Sequence, residues 1–238
     1  MKHKSAHVKS SAPFFTDLTG RIVEQFTSMN MDELQRFYQA SDKIVQQAYA
    51  YWQNFSHQQK SIALYAYQGE AFRNLDAQTL TKSEILKVSS HLRILSALYG
   101  LLRPLDAICL YRLDLSKSFP GLGNGVTYWR NVVTDQLIKE VMTFKHPIIV
   151  NCSSNEYTQL IDIPRIKHVA TWIQINFEYL KEDQRVNVSM LAKAARGTLA
   201  RELSLRPVTS ISQMSRYLPD YSCKIDEFGN TVTYTKSI

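Results

Sequence analysis

Apolar positions recur at helical spacing through the first half of the chain and give way to strand-like runs near residue 145. Asn30-Met31-Asp32-Glu33 reads as a cap with a carboxylate three residues on, opening a helix through Leu34, Phe37, Tyr38 and Ile44. Thr81-Lys82-Ser83-Glu84 is a capping box. It opens a helix with Ile85, Val88, Leu92, Leu95 and Leu98 on one face, ended by Gly100 and Pro104. The apolar run Pro147-Ile148-Ile149-Val150 predicts a buried strand. Residues 168–179 and 185–190 are rich in Val, Ile, Thr and aromatics, and the polar stretch 181–184 between them predicts a hairpin. A helix follows from about Met190 to Leu203 with Ser189 as its N-cap, and Tyr221 to Thr235 reads as a hairpin turning at Phe228-Gly229-Asn230. No Gly/Ser or Pro-rich linker and no internal repeat divides the chain. The pattern predicts one mixed α+β domain over residues 1–238, with a helical N-terminal half and a strand- and hairpin-rich C-terminal half.

Composition narrows the class. With 238 residues, 45% of them hydrophobic and 21% charged, the chain can bury a sizeable core, which excludes wholesale disorder. No apolar run reaches the roughly 18–20 residues of a membrane span. Lys2, His3, Lys4 and Lys9 make the N-terminus basic, but no apolar segment follows, so no secretory signal is read and a cytoplasmic location is expected. Cys109, Cys152 and Cys223 are far apart, and neither they nor the histidines show metal-ligand spacing, so no metal and no cofactor is expected. Lys and Arg total 28 against 21 Asp and Glu, a net charge of +7. That excess suits a polyanionic partner such as nucleic acid, or marks a merely basic soluble protein.

Three constellations offer chemistry. Leu98-Tyr99-Gly100-Leu101-Leu102-Arg103-Pro104-Leu105-Asp106 outlines a helix-hairpin-helix, in which backbone N–H groups around Gly100, aided by Arg103, approach a phosphate. The second glycine of that motif is replaced by Leu102, and the plain alternative is a helix C-cap and turn. Lys193, Arg196 and Arg201 fall on one broad helical face beside Ala195 and Gly197, forming either a cationic platform for phosphates or a solvated face with Gly197 packed on a neighbour. Asn151-Cys152-Ser153-Ser154-Asn155-Glu156-Tyr157 follows the buried strand, where α/β sites usually form. Ser153 to Glu156 is also a capping box that needs no ligand. Ser41-Asp42-Lys43, Gly69-Glu70 and Tyr111-Arg112 are lesser candidates for a cleft rim. Tyr51, Trp52, Tyr65, Tyr67, Tyr128 and Trp129 serve base stacking or core packing.

The stretch His91-Leu92-Arg93-Ile94-Leu95-Ser96, running through Ala97 to Asp106 and on to Tyr111-Arg112-Leu113, resembles the YaaA peroxide-stress proteins. Supporting matches are Ser41-Asp42-Lys43, Tyr128-Trp129, Asn151 with Ser154-Asn155-Glu156-Tyr157, and Ala192-Lys193 with Ala195-Arg196-Gly197. The resemblance implies a single domain particular to the family, with a basic cleft, a helix-hairpin-helix element and binding of duplex or structured DNA (bubble or junction) in protection against peroxide and in DNA repair. It implies no established catalysis. On that reading Gly100, Arg103, Lys193, Arg196 and Arg201 contact phosphates, and Lys43, Arg112, Asn151 and Ser154 line the cleft. The rival is an enzyme acting on a nucleic-acid base or nucleotide in the same cleft, with Glu156, Tyr157, Asp42 and Glu70 as acid/base candidates and Lys193 as a possible amine nucleophile. Departures from the family pattern are Glu70 in place of Asp, Asn74 in place of Gly, Arg130-Asn131 in place of a Gly-Asp-like pair, and Ala194 in place of Lys. Met1-Lys2-His3 resembles the end of the family's first-strand motif, so the first strand is expected to be lacking. No membrane partner is expected, and a monomer is favoured.

Overall fold

The computed structural model of the protein describes residues 8–238. Local capping chemistry starts several helices. After α1 (Thr16–Ser28), the Asn30 side chain accepts from the Glu33 N–H while Glu33 accepts from the Asn30 N–H, opening α2 (Met31–Tyr38). Gln39 then adopts a left-handed conformation with φ 49° and ends that helix. The single helix expected through Ile44 is therefore two, and Ile44 belongs to α3 (Asp42–Gln53). Short elements follow: β1 (Ser61–Ile62), α4 (Ala63–Ala66) and α5 (Glu70–Leu75). The Thr81–Glu84 box opens α6 (Lys82–His91) as expected.

Helix α6 stops at His91, not at Leu98. The chain continues as β2 (Ile94–Ser96) and β3 (Gly100–Leu102), paired antiparallel with Ile94 opposite Leu102 and Ser96 opposite Gly100. The helix-hairpin-helix expected around Gly100 is therefore not formed, and the segment is a β-hairpin. Its turn is held from within, because the Tyr99 N–H donates to Ser96 Oγ at 3.1 Å and Gly100 takes φ +67°. A Cβ at Gly100 would lie 2.6 Å from the Trp129 ring, so the glycine seats the hairpin on that indole. Then come β4 (Ala107–Ile108), paired with β1, the hairpin β5 (Ser118–Phe119) and β6 (Gly123–Asn124), and α7 (Gly125–Val141), whose N-cap is Asn124.

The C-terminal half is built on one sheet. Its elements are β7 (Ile148–Asn151), α8 (Asn155–Thr158), α9 (Ile163–Lys167), β8 (Thr171–Lys181), β9 (Gln184–Val186), α10 (Ser189–Leu205), β10 (Ser222–Ile225) and β11 (Thr231–Ser237). Strand order is β10-β11-β8-β7, with β9 also on β8; β7, β8 and β11 run parallel. Both expected hairpins form. β8–β9 turns through Glu182 and Asp183, both with positive φ, and β10–β11 turns through Gly229. Helix α10 begins at Ser189 itself, after Val188, with no side-chain cap, so Ser189 is not the N-cap. Ile173, Ile175, Val232 and Tyr234 fill the centre of the sheet core, completely buried. Trp52 and Trp129 are equally buried in the N-terminal core, so neither is available to stack on a base. Helix α10 lies so close to α5 that a Cβ at Gly197 would sit 1.9 Å from the Ala71 carbonyl oxygen. The expected loss of a first strand concerns residues 1–7, outside the described residues. Among the described residues no helix is long and apolar enough to cross a membrane.

Candidate functional site

The residues expected to contact phosphates are not equally placed to do so. Gly100 is buried beneath Trp129 and offers no exposed backbone amide, which corrects its expected role. Arg103 turns back into its own loop. Its Nε lies 3.1 Å from Oδ1 of the fully buried Asp106, and its guanidinium stands 4.2 Å over the Phe14 ring. Asp106 also accepts from the Arg103 N–H at 2.8 Å and from Ser11 Oγ at 2.6 Å. The shared Arg-Pro-Leu-Asp segment is thus a closed structural clasp. On α10, Arg196 Nη1 donates to the Ser153 carbonyl at 2.6 Å, and Arg201 donates to the carbonyls of Leu75 and Asp76 at 2.8 and 2.6 Å and to Thr79 Oγ1 at 2.9 Å. Arg201 thereby caps the C-terminus of α5, whose last carbonyls have no partner within the helix. Arg196 and Arg201 spend donors on carbonyls, not carboxylates, so their charge is retained. Lys193, one turn before Gly197, is exposed.

A wider asymmetry runs through the cations. Among the described residues every ion pair is made by an arginine (Arg73, Arg93, Arg103, Arg165, Arg185 or Arg206) and none by a lysine. Lys43, Lys60, Lys87, Lys145, Lys167 and Lys193 all stand exposed.

The loop after β7 is organised by Asn151. This buried side chain donates to Thr158 Oγ1 and Gln174 Oε1, both at 2.9 Å, and accepts from Ser153 Oγ at 2.7 Å. Ser153 is therefore not the cap of the following helix. Ser154 holds the cap position without a side-chain bond, and Glu156 is left out of the expected capping box. Burial pushes the Cys152 thiol up to about 12, away from reactivity.

A cavity of about 300 Å³ opens beside Tyr38, Tyr67, Tyr111, Arg112, Leu113 and Asp114. Two of its lining tyrosines join the buried Ser96 in a ring of three hydroxyls: Tyr67 donates to Ser96 Oγ at 3.2 Å, Ser96 Oγ lies 2.7 Å from the Tyr111 hydroxyl, and the two tyrosine hydroxyls are 3.1 Å apart. Burial raises both tyrosines above the usual phenol range. Tyr38 binds the Arg112 carbonyl and accepts from Trp52 Nε1, and burial raises it to about 12. Glu156 and Tyr157, outside the lining, feel the charge of Asp114 and Tyr111 within it. Burial and then the Asp114 carboxylate raise the Glu156 carboxyl above its ordinary range, and Tyr157 is raised first by burial, then by Tyr111 and Glu156. Of the four acid/base candidates none lines this cavity, though Glu156 and Tyr157 feel the charge of Asp114, which does. Asp42 is exposed in the first turn of α3, and Glu70 is bound to Arg73 and Asn74, whose bonds hold its carboxyl below the usual range. Of the expected cleft residues, Arg112 lines the cavity, Lys43 is exposed on α3, and Asn151 and Ser154 shape the β7 loop. Sequence reasoning missed Tyr38, Ser96 and Asp114. The adjacent Tyr111-Arg112 was the available signal, and Asp114 lies two residues beyond it.

The β-hairpin seated on Trp129 and the arginine–aspartate clasp both fall on the stretch 91–113 that carries the family resemblance. The chain belongs to the peroxide stress protein YaaA family, whose sequence model matches residues 1–224. Among similar proteins, a UPF0246 protein of Shewanella amazonensis is 32% identical over 214 residues, covering 86% of this chain and 81% of its own length. One of Francisella philomiragia is 28% identical over 229 residues, covering 93% and 89%. A third, of Legionella pneumophila, is 29% identical over 223 residues, covering 91% and 85%.

Proposed function

We propose that this member of the peroxide-stress family is a cytoplasmic protein that binds duplex or structured DNA through its phosphates, without reading sequence. The observation that supports this most is the set of exposed lysines left without carboxylate partners, on a chain with net charge +7. Such a surface attracts a polyanion and releases its counterions. Lys193 is the phosphate contact on α10, while Arg196 and Arg201 stay fixed to carbonyls and contribute field. Arg103, paired with Asp106, contributes little. The test is retention of duplex DNA across a salt series. Log affinity should fall linearly with log salt at a slope near −0.9 per phosphate engaged, and Lys193→Gln should make the slope shallower by roughly one. Affinity that stays flat across the series overturns the proposal.

The pairing of Glu156 with Asp114 beside buried tyrosines favours a second reading, an enzyme acting on a base or nucleotide with Glu156 as its acid. Product formation on damaged DNA, abolished by Glu156→Gln, would support it.

A further inference from the structure

The hydroxyl ring beneath the cavity has a fixed direction. Ser96 Oγ accepts from both the Tyr99 N–H and the Tyr67 hydroxyl, which fills its two lone pairs. Its own proton must therefore go to Tyr111, and Tyr111 in turn donates to Tyr67, closing the ring. All three protons are consumed inside the ring, so neither Tyr67 nor Tyr111 has a hydroxyl proton left to offer a ligand. The exposed Asp114 carboxylate on the cavity wall adds two acceptor oxygens. A carboxylate beside tyrosines whose protons are already spent selects a ligand edge made of N–H groups, since an acceptor facing Asp114 would be left unpaired.

Three aromatic rings, those of Tyr38, Tyr67 and Tyr111, supply flat apolar surface around this wall. Arg112 is the cation of the lining, and it suits an oxygen acceptor or a phosphate on the same ligand. A cavity of about 300 Å³ is the size of a small-molecule site, far too narrow for a duplex.

We propose that this cavity receives a single unpaired nucleobase with adjacent N–H donors on one edge, guanine above all, with Asp114 accepting from that edge and Arg112 meeting an acceptor on the same nucleotide. Guanine places a ring N–H and an exocyclic amine side by side, which matches the two oxygens of one carboxylate. Reading an extruded base through its pairing edge, between aromatic rings, is an established chemical solution. The assignment rests on the nucleic-acid reading above and refines it: phosphates hold the strand, and the cavity takes a base that is out of the stack.

Isothermal titration of the full chain with dGMP and with dIMP, which lacks the exocyclic amine, tests this. The expected result is binding of dGMP roughly tenfold tighter than dIMP, with that preference lost in Asp114→Asn. Tyr111→Phe, which opens the hydroxyl ring, should weaken dGMP as well while keeping the wild-type circular dichroism. If the two nucleotides bind alike, or neither binds, while duplex retention remains salt-sensitive, the cavity assignment is overturned and the polyanion reading stands. If duplex retention is salt-insensitive while dGMP preference holds, the cavity is supported and the polyanion reading fails.

Discussion

Arg201 shows how a side chain can present the signature of a phosphate contact and serve another purpose. On the helix it shares a broad face with Lys193 and Arg196, as a cationic platform requires, yet three of its bonds close the end of α5 and the turn after it. Arg201→Ala should therefore destabilise the fold by about 1–3 kcal/mol, the cost of leaving the carbonyl of the buried Leu75 without its partner. It should lower DNA affinity only modestly. Urea unfolding checks the first expectation, and a fully folded variant with unchanged midpoint would refute the capping role. Arg103 makes the same point: its partners are Asp106, three residues on, and Ala12, far away in sequence, so half of its environment was visible locally and half was not.

Elements divide along the same line. Helix starts set by neighbours were legible, as at Asn30 with Glu33 and Thr81 with Glu84, because cap donors and acceptors sit three residues apart. Hairpins at 181–184 and 228–230 were legible through their turn residues. Residues 94–102 were not. Leu95 and Leu98 continue the helical face of Ile85, Val88 and Leu92, and what favours a hairpin is contact with Trp129, on a helix some thirty residues away. The break at Gln39 lacks the glycine that usually announces a left-handed stop. The hydroxyl ring joins positions 67, 96 and 111, three separate elements that no periodicity links. Gly197 was legible as an anomaly, a glycine inside a helix, and its reason is the α5 backbone. Gly197→Ala should push α10 from α5 and cost about 1–3 kcal/mol or more, despite the better helix propensity of alanine. A thermal melt at or above the wild-type midpoint would contradict that packing.

At the scale of the whole molecule the fold joins a helical half and a parallel-stranded half, with the tyrosine cavity lined by residues of the first half and the Glu156 segment of the second coupled to it by charge. Among the described residues the ion pairs fall to arginine alone. Arginines knit the architecture through carboxylates, carbonyls and rings. Among the lysines, Lys117 reaches the carbonyls of Phe37 and Tyr38, and Lys236 lies over the Tyr221 ring. Acetylation confined to the exposed lysines, with Lys117 and Lys236 spared, would thus act on attraction and leave these contacts alone. Mild acetylation of the native protein should abolish its retention on a phosphate-bearing matrix while its melting temperature holds within a few degrees, whereas a glyoxal reagent directed at arginine should unfold it first. A charge state that can be erased without dismantling its carrier is a reversible handle, and this chain holds that handle in its lysines.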